Sequence, residues 1–341
     1  MVAVTGTTQL AMQQAMSRNI SLLTTMLNRQ NQQLSSGLKL DGLIGVSHQA
    51  QELGALKSKL GTAENYTDAV KTAQNRTTLY ALSLEKIIDL ATDAKDMMIK
   101  NRDPFFAKTA APAAQAGTLL DQIGSILQTK DGDRYIFSGT NYNTNPLNGT
   151  LSGLPAVYGA GAVPGVTPGY DVPFQPVPDS VPLNQPPYLN LGGNIDNYYD
   201  INSVGLYVDD NERLSYGVSA AEPGFQRVID AVLRFRDATA DLGVDDPNYQ
   251  ARVDDATKQL DLALSDLKST ASRNGYKQQH LGEVQDRHAR GIDLLKIRIG
   301  GIQDADPAEV ATNIAGLQAA LEASYMVTSK TLQLSLVNYL R

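Results

Sequence analysis

The first 102 residues contain no proline. Proline removes a backbone donor and clashes with the preceding turn, so its absence over such a length leaves continuous helix open to the chain. The apolar spacing uses that freedom. Ile20, Leu23, Leu27, Gln30 and Leu34 alternate steps of three and four, the seam of a coiled coil, and Gly37 closes it. Beyond a glycine-rich joint at Asp41, Gly42, Leu43, Ile44 and Gly45, the spacing resumes with Leu53, Leu56, Leu60, Ala63 and Val70. Leu84, Ile88 and Ala91 carry it towards Met97. A helix from about 47 to about 100 would measure roughly 80 Å. Asp103-Pro104 ends it, and Leu119, Ile123 and Leu127 predict a shorter helix turning back.

The other end mirrors this pattern. Val253, Ala256, Leu260, Ala263 and Leu267 form one seam; Leu281, Val284, His288, Leu295, Ile299 and Ile302 form the next. Asp306-Pro307 marks a new helix start, from which Ile314, Leu317, Leu321, Leu332 and Leu336 run to the end. Helices of this kind are stabilised mainly by what packs on them, so both ends call for partners.

Between the flanks the composition changes. Residues 141–223 hold 11 of the 15 prolines, 10 of the 28 glycines and 8 of the 15 tyrosines. They carry one basic residue, Arg213, against eight acidic ones, so the net charge of −7 sits there and the flanks balance. Only short strands and turns suit such a segment. Arg134 to Ser138 reads as a strand after the turn signal Asp131-Gly132. Val204, Leu206 and Val208 against Leu214, Tyr216 and Val218 read as a hairpin whose four-residue turn, Asp209 to Glu212, is a solvated tip. The fold class expected is mainly α: a long antiparallel helical bundle or coiled coil formed by both chain ends, with a small β-rich domain inserted.

Chemistry is sparse. Without cysteine there is no disulfide, zinc ribbon or thiol nucleophile. His280 and His288 lie about 12 Å apart by helical rise, too far to share a metal unaided. His288 falls on an apolar seam and reads as a packed structural histidine; His48 has no companion. The acidic turn lacks the spacing of an EF-hand loop. Gly300-Gly301 and the glycines at 42 and 45 match no phosphate-binding fingerprint. The Asn-x-Ser/Thr triplets at Asn19, Asn65, Asn75 and Asn148 fall mostly on predicted helices and read as chance. The insert's tyrosines read as filling for a small β core. No catalytic, cofactor or metal site emerges, and no enzyme. The absence of a basic cluster disfavours nucleic acid, no apolar run is long enough to span a membrane, and the N-terminus lacks the pattern of a cleaved signal peptide.

Three strings carry a resemblance. Leu27 to Leu40, LNRQNQQLSSGLKL, is similar to a signature of bacterial flagellins and their junction relatives, and the long helix bearing Asn65 and Ala69 resembles the flagellin long helix. Asp131 to Thr140, DGDRYIFSGT, resembles a segment of the hook–filament junction members of that family, as does the tail from Leu317, LQAALEASYMVTSKTLQLSLVNYLR. The family's acidic-proline segment and its usual opening are replaced here by Asp41 to Gly45 and Thr7 to Ala11.

The resemblance implies a terminal coiled-coil domain from residues 1–42 and 304–341, a helical rod from 43–140 and 223–303, and an exposed outer domain at 141–222. It implies an extracellular structural subunit at the hook–filament junction, filament flagellin being the alternative, exported by the flagellar type III system without cofactors. Its partners would be copies of itself in a ring, a neighbouring hook-associated protein, flagellin and an export chaperone. The assembly interface expected is Ile20, Leu23, Leu27 and Leu34 with Ile314, Leu317, Leu321, Leu332 and Leu336.

Overall fold

A computed structural model shows which seams close within one chain. It describes residues 3–39, 49–139, 142–147, 150–153, 204–240 and 244–339. Helices α1 (Ala3–Ser36), α2 (Ala50–Lys100), α3 (Pro104–Ala110) and α4 (Pro112–Leu127) precede the central segment. Helices α5 (Pro223–Ala240), α6 (Tyr249–Gln303) and α7 (Pro307–Tyr339) follow it. Two antiparallel hairpins complete the described elements. One pairs β1 (Lys130–Asp131) with β2 (Arg134–Tyr135); the other pairs β3 (Gly205–Asp209) with β4 (Glu212–Ser215). The fold is mainly helical with small two-stranded sheets. Its residues divide into two compact units, Met1–Glu64 with Ala289–Arg341, and Asn65–His288.

The helix boundaries have local causes. Gly37 stops α1 with φ +72, a left-handed conformation that costs other L-residues energy. Asp103 caps α3 by accepting the Phe105 N–H at 2.9 Å, and Asp306 caps α7 by accepting that of Ala308 at 2.8 Å. Both caps precede a proline at the first helical position, where its missing N–H has no partner to lose.

In the first unit α1 packs against α7. A small cluster of Leu53 and Leu56 from α2 with Ile299 and Ile302 from α6 lies in the same unit, with Leu60 and Leu295 against it. The second unit holds the larger core. α4 packs on α5, and the α6 seam Val253, Ala256, Leu260, Ala263 and Leu267 is fully buried, as its spacing predicted. Gly224 permits the approach of α5 to α6, because a Cβ there would stand 3.0 Å from the Leu267 backbone nitrogen. Phe137 meets Tyr80 and Phe225 edge-on, with ring centroids 5.4 and 5.5 Å apart. The Tyr80 hydroxyl donates to the Ile136 carbonyl at 2.6 Å, and burial pushes its pKa up to about 12.

Two local expectations need correction. Arg134 to Ser138 is a strand only at Arg134–Tyr135 and then closes into a 3-10 turn over Ile136–Ser138, which turns all three side chains into the core. The second hairpin turns more tightly than predicted: Asp209 already pairs with Glu212, and a bulge between Tyr207 and Asp209 takes up the odd residue. The proline-rich stretch, and with it most of the expected outer domain and its tyrosine core, lies outside the described residues.

The core also encloses a polar network that apolar periodicity does not reveal. Arg234 on α5 donates to Asp230 at 2.7 Å and to Asp255 on α6 at 2.9 Å. Burial pushes the Asp230 carboxyl up to about 6, against the opposing pull of Arg234; Asp255 and Asp237 add to the rise. Native Asp230 therefore holds a proton that the unfolded chain has released. Its contribution to stability is complete below about pH 4 and is lost as pH rises through about 6. Asp230→Asn lacks this loss. Thermal melts at pH 4 and pH 7 are expected to shift in the variant's favour at the higher pH, by up to about 3 kcal/mol. An unchanged difference between the two pH values would show that Asp230 is ionised throughout.

Candidate assembly interface

The pairing of α1 with α7 is antiparallel and anchored at one end by the backbone. Leu38 bridges Asp304, the Lys39 N–H donates to the Gln303 carbonyl at 2.7 Å, and the Ala305 N–H donates to the Gly37 carbonyl at 2.8 Å. From this anchor the two helices run together. Further along, Met16 and Asn19 share a surface hollow with Ser324 and Thr328.

Burial defines the seam. On α1, Met16, Ile20, Leu23, Leu27, Gln30 and Gln33 are half-buried. On α7, Val310 and Leu321 are buried, and Ile314, Leu317, Ser324, Thr328 and Thr331 are half-buried. Those α7 positions step by four and three without interruption, a heptad pattern whose apolar half ends at Leu321. Towards the chain terminus the seam turns polar, with Ser324, Thr328 and Thr331 bonding to carbonyls of their own helix. Gln30 sits at an apolar-type position, and its buried Oε1 has no hydrogen-bond partner, which costs rather than adds stability.

Six of the nine predicted interface residues lie on this intrachain seam: Ile20, Leu23, Leu27, Ile314, Leu317 and Leu321. Leu34 and Leu332 do not. They are 47% and 45% exposed, because the burial stripe passes through Gln33 and Thr331, one position earlier in each helix. The Leu336 side chain lies outside the described ones. The structure also shows apolar residues that the seam-based reading missed. Met12, Leu22 and Met26 on α1 are exposed, as are Tyr325, Met326 and Val327 on α7. The signal was present in part: Leu22 and Met26 repeat at i and i+4, one position ahead of Leu23 and Leu27. The two-helix unit thus buries one apolar stripe and leaves further large side chains in solvent, the kind of surface that association covers.

His280, His288 and the acidic turn belong to the second unit, where their contacts tie the hairpin to the helices. His288 is buried as its seam position predicted. Its Nε2–H donates to the Val208 carbonyl of β3 at 2.6 Å, and its ring stacks on Tyr66 of α2 at 5.8 Å. The hairpin tip is not simply solvated. Tyr66 donates its hydroxyl proton to Asp210 at 3.0 Å, and Glu212 accepts from His280 at 2.9 Å and from Arg287 at 2.5 Å. The Arg287 hydrogen bond, seconded by that of His280, holds the Glu212 carboxyl below its ordinary pKa. The charges that made this turn look like a free tip are what fasten it to α2 and α6. Among the described residues, no group of three or more His, Cys, Asp or Glu side chains is placed to hold a metal, and no helix is long and apolar enough to cross a membrane. His48 lies outside the described residues.

Residues 250–340, covering nearly all of α6 and α7, match the model of the bacterial flagellin C-terminal helical region. No curated protein sequence matches the chain. Among solved structures, the chain is similar to a candidate flagellar hook-associated protein from Vibrio parahaemolyticus, with a TM-score of 0.53 at 12% identity. That alignment covers 74% of this chain and 96% of the other. It is likewise similar to FlgL from Bacillus cereus, with a TM-score of 0.51 at 14% identity over 72% of this chain and 99% of that one. At such identities the likeness concerns the fold.

Proposed function

We propose that this chain is a structural subunit of the bacterial flagellum, forming a ring at the junction between hook and filament. The observation that carries the reading is the α1–α7 pair, with its thin internal seam and its exposed apolar residues, on a chain end that matches the flagellin C-terminal helical region. A pair of long helices with so little covering it gains stability when copies pack side by side. In this reading Leu34 and Leu332, which the partner helix leaves open, join Leu22, Met26 and Met326 in contacts between copies. The seam residues Ile20, Leu23, Leu27, Ile314, Leu317 and Leu321 shape the pair that presents them, and Leu336 extends it.

The remaining assignments follow from the same reading. Residues 1–42 and 304–341 form the assembly domain, 43–140 and 223–303 the helical rod, and 141–222 an outer domain. The subunit leaves the cell through the flagellar type III apparatus, escorted by an export chaperone. It then contacts a neighbouring hook-associated protein on one side and flagellin on the other. Its role is mechanical, not enzymatic.

Deleting the gene and imaging the cells tests this directly. Hooks without filaments, together with flagellin shed into the medium, are expected. Filaments that attach normally but are shortened or altered would instead favour the filament-flagellin reading. Unchanged flagella would overturn both.

A further inference from the structure

Where α2 gives way to α3 in the second unit, an open cavity of about 710 Å3 lies among α2, α3 and α4. Asp93, Asp96 and Lys100 of α2 line it, with Asn101 just beyond that helix, Phe106 of α3 and Gln115 of α4. We infer that this cavity is a binding site for an organic cation that donates N–H hydrogen bonds, a protonated amine or a guanidinium.

The charges of the lining do not cancel. Asp93 and Asp96 are exposed and form no ion pair with any described residue. Outside the described side chains the sequence holds no lysine and a single arginine, Arg341, its last residue. The neighbouring cations are committed elsewhere: Lys95 to Asp261, Arg102 to Asp254 and Lys108 to Asp245, each at 2.6 Å. Lys100 offsets one of the two carboxylates, and the other is left over. The amides add acceptors. Asn101 donates its side-chain N–H to the Met97 carbonyl at 2.8 Å. A carbonyl only accepts, so the amide nitrogen must face it and the Asn101 Oδ1 points elsewhere. Asn101 is only 5% exposed, yet this oxygen accepts from no described group and is not sealed off as those of Gln226 and Asn274 are. Gln115 likewise spends an N–H on the Ala110 carbonyl at 3.0 Å and keeps its oxygen. Each amide retains one further N–H, so it is the surplus carboxylate that sets the sign of the ligand. Phe106 supplies the apolar surface: it is 57% exposed and stands edge-on to Phe105 at 5.5 Å. The face of such a ring attracts a cation. An ammonium offers three N–H donors and a guanidinium five, neither accepts, and their hydrogen bonds to carboxylates are charge-assisted. The volume lies in the range of small-molecule pockets.

The test uses the full-length chain labelled with 15N, titrated at low salt with spermidine, with N-acetylarginine amide and, as the uncharged control, with N-acetylnorleucine amide. The side-chain amide signals of Asn101 and Gln115 are expected to move saturably with at least one of the two cations and not with the control. Saturation by spermidine alone would assign the site to free amines; saturation by acetylarginine amide alone would assign it to a basic side chain presented by a protein. Asp93→Asn combined with Asp96→Asn should weaken binding roughly tenfold or more, as loss of charge-assisted hydrogen bonds implies. Phe106→Leu keeps an apolar side chain without the ring and should weaken it about threefold. All three positions are exposed, so the melting curves should stay where they are. Failure of both cations to saturate, an equal response to the norleucine control, or wild-type affinity in the double asparagine variant would overturn the assignment.

Discussion

Replacing Leu27 and Leu321 together by alanine is expected to separate α1 from α7 and abolish assembly while leaving the second unit's melting unchanged. Leu321 is only 9% exposed, and Leu27 is half-buried on the facing helix. Truncating a fully buried leucine costs about 2–5 kcal/mol; with Leu27 half-buried, the pair together still costs several kcal/mol. The first unit has little in reserve. Beside this seam, its core consists of Leu53, Leu56, Ile299 and Ile302, with Leu60 and Leu295 in support. The second unit has its own extensive core, to which neither residue contributes. Hydrogen exchange on the variant should show α1 and α7 losing protection, and sedimentation should show self-association lost, while the main thermal transition stays put. A lowered main transition with α1 and α7 still protected would place the seam's contribution in the wrong unit.

Phe137→Ala should do the reverse, lowering the main transition by about 3–5 kcal/mol of stability, the usual cost of emptying a buried aromatic site. Phe137 is 1% exposed and holds two edge-on aromatic contacts. Its carbonyl also accepts the Ala220 N–H at 2.9 Å, tying the 3-10 turn to the segment that leads into α5. The vacated space borders Tyr80 and Phe225, rigid rings that cannot collapse into it. Phe137→Leu, which retains most of the apolar volume, should cost clearly less. Calorimetry on the two variants decides the matter: equal, small losses would mean that the YIFSG string is not part of the core.

Much of this architecture could be read from periodicity alone. Wherever a helix buries one stripe against a long neighbour, spacing and burial agree, as along Val253 to Leu267 and from Leu281 to His288. The breaks at Gly37, Asp103-Pro104 and Asp306-Pro307 were equally legible, because they depend on the local preferences of glycine, proline and a capping carboxylate. These are short-range effects, and the residues concerned are adjacent in the chain.

The tertiary structure decided whatever depends on which stripe meets which neighbour. Leu34 and Leu332 continue their leucine patterns, yet the antiparallel register places Gln33 and Thr331 at the seam instead. A 3.6-residue helix drifts against a strict heptad, so the last residues of a pattern are where a small rotation moves a side chain from seam to solvent. The acidic hairpin tip looked solvated because its partners Tyr66, His280 and Arg287 lie far away in sequence. Asp230 and Arg234 are buried on α5, with the half-buried Asp255 of α6 against them, and an ion pair at i and i+4 looks from sequence like any exposed helix pair. Arg76, Arg134 and Arg213 are likewise scattered along the chain, and only folding brings them to one cavity. Helix and breakpoint follow from residues within a few positions of each other; register, burial of charge and the gathering of distant side chains depend on contacts that no local pattern encodes.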